Sequence, residues 1–202
     1  MPAPALRYAG GMLNNETAMQ LSPGRLHLLI APRSLGRQMN SAMIARIALS
    51  HSLCPPGSGV RVVDGGNCFD ARSIARLLRR QTSELYAALE RIRVQRAFTC
   101  YQMLTMLIHS STNNEPLVVL DLLATFYDEN APKMERLRLL EHSLGQLRRL
   151  SSIATVLISS PPPPTISPGL DAPSEFLERL EAAADQVWRF EAPPVQVQER
   201  LF

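Results

Sequence analysis

The run Leu117-Val118-Val119-Leu120 is four large apolar residues in a row, ending directly on Asp121. A strand with one wet face alternates apolar and polar residues, so an unbroken run belongs inside a parallel sheet covered by helices on both sides. Leu26 to Ala31, Val60 to Val63 (ending on Asp64) and Thr155 to Ile158 read in the same way, and Ile92 to Phe98 and Gln186 to Phe190 complete the set of strands. Helical spacing fills the intervals. Met39, Met43, Ile44, Ile47 and Ala48 recur on one face, as do Ile74, Leu77 and Leu78 in a helix from about Asp70, and Met134, Leu137, Leu140, Leu144 and Leu147 in a helix started by Asn130 and Pro132. Further helices are expected over Ser83 to Arg91, from Thr99 to His109, where Thr99 and Gln102 form a capping box, and over Ser174 to Asp185. Alternating strands and helices joined by short loops predict an α/β fold, a three-layer α/β/α core around a mainly parallel sheet.

At 202 residues the chain suits one domain with tails. The expected division is a lead-in over 1–20, with a short helix around Glu16 to Leu21, a core over 21–190 and a tail over 191–202. Ser159 to Pro173 is expected to be a proline-rich loop. No apolar run approaches the roughly 18 residues of a membrane span. The N-terminus lacks an apolar signal core, so a cytoplasmic protein without membrane contact is expected. Cys54, Cys68 and Cys100 are odd in number and lack metal-ligand spacing, which fits reduced thiols. The four histidines are scattered and read as packing or surface residues. A net charge of +3 is compatible with nucleic-acid binding without requiring it.

Gly24 to Leu53 reads as strand, loop and helix, with the loop over Pro32 to Arg37. Its spacing matches the phosphate-binding pattern G-x-x-x-x-G-K-[ST], in which backbone N–H groups and a helix N-terminus surround phosphate oxygens. Here the pattern is spelled A-P-R-S-L-G-R-Q. Ala31 replaces a glycine, Pro32 removes a backbone donor, Arg37 stands where a compact lysine would reach the outer phosphates, and Gln38 replaces the magnesium-holding hydroxyl. Only Gly36 is kept. Lys133 is the single lysine among 21 basic residues, so none lies near the loop.

Two other features invite chemistry. Asp121, at a strand's carboxyl end, reads either as a turn residue or helix cap, or as a ligand for magnesium through water. Arg72, Arg76 and Arg80 recur at helical spacing with Arg79 beside them. That stripe is either the ordinary solvated face of an amphipathic helix or a contact with a nucleic-acid backbone.

The series LSPGRLHLLIAPRSLGRQ, VRVVDGGNCFDARSI, IRVQRAFTCYQML, PLVVLDLLATFY and TVLISS, in this order over residues 21–190, resembles the core of RecA/RadA-type recombinases. Asp64 with Phe69 and Arg72, and Arg96-Ala97-Phe98 with Gln102-Met103-Leu104, carry most of the likeness. The resemblance implies a RecA-like core in which the Asp121 strand lies beside the Asp64 strand, with Asp121 at the family's magnesium-associated position. It also places Gly66 where the family has its water-activating glutamate. Gly36, Arg37, Gln38 and Asp121 then make a degenerate nucleotide site.

With positioning, metal and base altered together, no hydrolysis is expected, since one catalytic group is commonly worth about 10²–10⁴-fold. The expectation is a non-catalytic recombinase-like interaction module in DNA recombination or repair. It would have no catalytic residue and no required cofactor, would bind a recombinase-like or repair partner, and would use Arg72, Arg76, Arg79 and Arg80 for any DNA contact. The alternatives are a weak ATPase holding ATP with Arg37 and magnesium with Asp121, or a nucleotide sensor or simple scaffold outside DNA metabolism.

Overall fold

The computed structural model describes residues 6–8, 19–54, 57–110, 114–127, 131–163 and 174–191. The strands are β1 (Leu6–Tyr8), β2 (Leu26–Ile30), β3 (Val60–Asp64), β4 (Ile92–Arg96), β5 (Leu117–Leu120), β6 (Val156–Ser160) and β7 (Gln186–Phe190). They form one sheet in the order β1-β7-β2-β6-β5-β3-β4, with every pairing parallel. The helices are α1 (Arg33–Leu49), α2 (Ala71–Gln81), α3 (Leu85–Glu90), α4 (Cys100–Ile108), α5 (Lys133–Ser151) and α6 (Ser174–Ala183), with a 3₁₀ turn over Leu122–Thr125. The fold is the three-layer α/β/α core expected, and β5 lies beside β3 with Leu120 opposite Asp64.

Alternate residues of each strand serve opposite faces, so the sheet separates two apolar layers. Leu29, Val62, Val118, Leu120 and Leu157 pack with Met43, Ile44 and Ile47 of α1 and Ile74 and Leu78 of α2. On the other face, Leu28, Ile30, Val63, Val119 and Ile158 meet Met103 and Leu107 of α4, Leu140 and Leu147 of α5, and Leu180 of α6. Each such fully buried side chain stabilises by about 1.5–3 kcal/mol. His27, fully buried, stacks on Trp188 with ring centroids 5.2 Å apart, a packing role.

Local chemistry sets most helix starts. The Asp70 carboxylate caps α2 by accepting the Ser73 N–H and hydroxyl, which together hold its pKa below the usual value. Thr99 Oγ1 accepts the Gln102 N–H, and the Gln102 side chain reaches back to the Phe98 N–H. The C-terminal end of α6 is closed from outside: Arg148, in the last turn of α5, donates to the carbonyls of Ala182 and Ala183.

Four expectations are corrected. The lead-in supplies β1, which pairs with β7, and Met19 is already core. Of the short helix expected at Glu16 to Leu21, the described residues 19–21 are not helical, and the rest lies outside the described residues, as do 164–173 and 192–202. Met134, counted as apolar stripe, is exposed, because α5 has barely begun there and the sheet covers only its later turns. Ser159 and Ser160, expected to open a loop, are buried residues of β6.

The sheet order opens a crevice between β2 and β6. β2 leaves through α1 toward β3, passing β6 and β5, whereas β6 leaves through α6 on the opposite face toward β7, passing β2. The connections of these neighbours run in opposite directions on opposite faces of the sheet, and the carboxyl ends of such strands are where open parallel sheets bind ligands. Among the described residues no helix is long and apolar enough to cross a membrane.

Candidate functional site

The crevice at the carboxyl ends of β2 and β6 is a cleft of about 40 Å³, bounded by Ala31, Arg33, Gly36 and Arg37 on one side and by Gly66, Cys68, Asp121 and Ser159 on the other. Three of the four residues read as a nucleotide site, Gly36, Arg37 and Asp121, meet here. Gln38 is exposed and does not line the cleft.

The expected loop over Pro32 to Arg37 is not a loop. The chain passes from β2 through Ala31 and Pro32 straight into α1 at Arg33, and the Gly36 N–H donates to the Pro32 carbonyl at 2.7 Å. Arg33, Ser34 and Leu35 are helix-compatible, and Pro32 has ψ of 145°, the extended backbone from which a helix is entered. A Cβ added at Gly36 would meet nothing nearer than the Ala31 carbonyl oxygen at 3.5 Å, so this glycine is no longer demanded by space.

The opposite wall is crowded. Asp121 caps the 3₁₀ turn in the left-handed region, φ 48° and ψ 56°, which is uncommon for a residue with a Cβ. This turns its carboxylate onto Gly66. A Cβ added at Gly66 would lie 2.4 Å from Asp121 Oδ2 and 2.5 Å from Asp121 Cβ. The place of a side chain at position 66 is therefore occupied by Asp121.

Behind the cleft, Ser159 Oγ ties the two walls together. It accepts from Asn40 Nδ2 at 3.0 Å, on α1, and from the Asp121 N–H at 3.2 Å. Asn40 Oδ1 and Asp121 Oδ1 are buried without a hydrogen-bond partner in the protein. Burial is the main cause that raises the Asp121 pKa, opposed by nearby Arg33 and reinforced by Asp64. Burial, then the charges of Asp64 and Asp121, push the Cys68 thiol up to about 12 against the pull of Arg37, so it is a thiol rather than a nucleophilic thiolate at neutral pH. Asp64, at the end of β3, is consumed locally. Its carboxylate accepts the N–H groups of Cys68 and Phe69, both at 3.0 Å, and lies 3.7 Å from Arg96 Nε.

A nucleoside triphosphate with magnesium does not fit this arrangement. The Gly36 N–H is spent on the Pro32 carbonyl, the free volume suits a few waters, and neither a lysine nor a hydroxyl stands at positions 37 and 38. Asp121 is pressed on Gly66, and the neighbouring Asp64 carboxylate is held by the Cys68 and Phe69 N–H groups.

Arg72, Arg76, Arg79 and Arg80 are all exposed on α2 and do not line the cleft. Sequence reasoning missed Arg33, Asn40, Cys68 and Ser159. Asn40 had one signal, a polar residue one helical turn after Gly36 on the face that carries Met39 and Met43. No protein-family model matches the chain, and comparison with curated proteins finds no significant relative.

Proposed function

We propose that this chain is a non-catalytic paralogue of RecA/RadA-type recombinases that acts as an interaction module in DNA recombination or repair. The observation that carries the reading is the Asp121 carboxylate standing where a side chain at position 66 would be, which leaves no space for a general base at that point. The winding of residues 33–37 into α1 supports it from the other wall. The order of motifs along the chain supports the family. The exposed arginines of α2 suit phosphates, and a partner core or DNA is the expected ligand rather than a nucleotide.

Equilibrium titration with a fluorescent ATP analogue and magnesium, beside Arg37→Ala and Asp121→Ala, tests the loss of chemistry. No saturable binding up to millimolar nucleotide is expected. Saturable binding weakened by both changes would overturn the reading in favour of a weak ATPase. Association is tested by anisotropy with single- and double-stranded DNA and by co-sedimentation with a catalytic recombinase core. DNA binding should fall steeply with salt, and replacing all four α2 arginines by alanine should flatten that dependence. Neither DNA nor core binding would sink the proposal.

A further inference from the structure

Arg-Arg-x-Ser/Thr occurs twice in the chain, as Arg79-Arg80-Gln81-Thr82 and as Arg148-Arg149-Leu150-Ser151. Two guanidiniums set two and three residues before a hydroxyl are a charge pattern by which an acidic protein-kinase cleft selects its substrate. The structure separates the two copies. Ser151 is buried in the last turn of α5, its hydroxyl donates to the Arg148 carbonyl at 2.9 Å, and Arg148 itself is tied to the Ala182 and Ala183 carbonyls. That copy is part of the packing and is closed to an enzyme.

The other copy is open. Arg79, Arg80, Gln81, Ser83 and Glu84 are exposed, and Thr82 is half-buried. Thr82 ends α2 with φ −145° and ψ 146°, an extended residue between two helices, and a terminal turn is the part of a helix that opens most readily. Among the described residues neither Arg79 nor Arg80 is in an ion pair, and α2 carries four arginines and no acid.

Thr82 also borders a pocket suited to what a kinase would add. The pocket, about 210 Å³, is lined by Thr82 together with Leu49, His51, Glu84 and Arg91. Arg91 donates from Nη1 to the Ala48 carbonyl at 3.3 Å, and the rest of its guanidinium is left for the pocket. The Glu84 N–H already donates to Thr82 Oγ1 at 3.0 Å. A phosphate on that oxygen meets this N–H, His51 and Arg91, with Arg79 and Arg80 in the turn before it. The Glu84 carboxylate and the closing carbonyls of α2 oppose it, one full charge and a dipole end against three guanidiniums.

We propose that Thr82 is a phosphorylation site for an arginine-directed serine/threonine protein kinase, and that Arg91 and the last turn of α2 receive the phosphate. The kinase transfers the γ-phosphoryl group of ATP. A P–O bond forms at Thr82 Oγ1, the bond to the β-phosphate oxygen breaks, ADP leaves, and the hydroxyl proton passes to the kinase's base. The added charge, about −1.5 to −2 at neutral pH, offsets Arg79 and Arg80. The modification does not depend on the recombinase reading; where the α2 face holds DNA, it weakens that hold.

The test incubates the full chain with labelled ATP and a purified serine/threonine kinase that requires arginines two and three residues before its acceptor. Label is expected on Thr82, located by peptide mass spectrometry. Thr82→Ala should abolish it with thermal unfolding near that of the wild type, and replacing both Arg79 and Arg80 by alanine should lower kcat/KM about tenfold or more. Ser151 should take label only in a peptide of residues 146–154, where nothing buries it. By ³¹P NMR the phosphate's second pKa, about 6 when free, should be lower in the folded chain, because nearby cations favour the dianion, and Arg91→Gln should bring it back toward the free value. Absence of label, label on Ser83 or Ser151 of the native chain, label indifferent to the arginine pair, or a phosphate pKa that folding leaves unchanged would each overturn the proposal.

Discussion

Gly36 and Gly66 face each other across one cleft and have had opposite fates. Gly36 matches the glycine of a phosphate-loop pattern yet sits in the first turns of an ordinary helix, with open space where its Cβ would go. Gly66 stands where the resemblance puts a glutamate, and no side chain can be placed there, because Asp121 is already in the space. One glycine has room for a side chain and the other has none. Identity of residue type therefore says little about why a glycine is present; the nearest neighbour of the absent Cβ says which.

The crowded wall gives the largest expected effect. Gly66→Ala must displace Asp121, whose own Cβ is 2.5 Å from the new methyl and whose backbone holds it in place, so about 2–3 kcal/mol of stability should be lost. Asp121→Gly frees the space and also removes the left-handed strain at φ 48°. Denaturant unfolding of the two single variants and the double variant measures the coupling: the second change should recover most of the loss caused by the first. Additive losses would mean that the two residues do not compete for one volume.

That competition could not be read from the sequence, because it is a contact between the ends of two strands, β3 and β5, separated by α2, α3, β4 and α4. What was legible was local. Unbroken runs such as Leu117–Leu120 mark buried strands, and Asp70 and Thr99 mark helix starts through bonds to residues three positions on. Ser159 misled, since serine before a proline run reads as loop; its hydroxyl is buried only because Asn40, 119 residues away, supplies a donor. β1 is three residues long, too short to show a period. The helix start at Arg33 was masked by the outline of the phosphate loop, although proline just before helix-compatible residues was itself a start signal.

A middle-sized effect comes from the Asp121 charge. Its pKa is raised in the folded protein, so the fold binds a proton that the unfolded chain has already released. This group's contribution to stability therefore rises as pH falls from neutral through the folded pKa, and levels off below the unfolded value. Asp121→Asn removes the titration and can offer a donor toward the unpartnered acceptors of the cleft. It should stabilise the protein at neutral pH by on the order of 1 kcal/mol, the usual cost of a buried acceptor left without a donor. Urea midpoints of wild type and variant should converge as the pH is lowered. A constant difference at all pH values would show that Asp121 does not titrate in the fold.

The smallest effect, on the relaxed wall, is the sharpest test of what that wall has become. Gly36 lies inside α1, where alanine is favoured over glycine by about 0.5–1 kcal/mol, and its neighbours leave 3.5 Å for the new methyl. Gly36→Ala should raise the melting temperature by roughly 1–4 °C in a chain of this size. In a working phosphate loop the same change would harm the loop, because glycine there is kept for backbone angles that alanine resists. A destabilised Gly36→Ala would mean that residues 33–37 leave the helix in the stable state in solution, and the case against a phosphate cradle would fall with it. A stabilised one leaves the two glycines as unlike as their surroundings make them, and the cleft between them as a joint of the fold rather than a place for nucleotide.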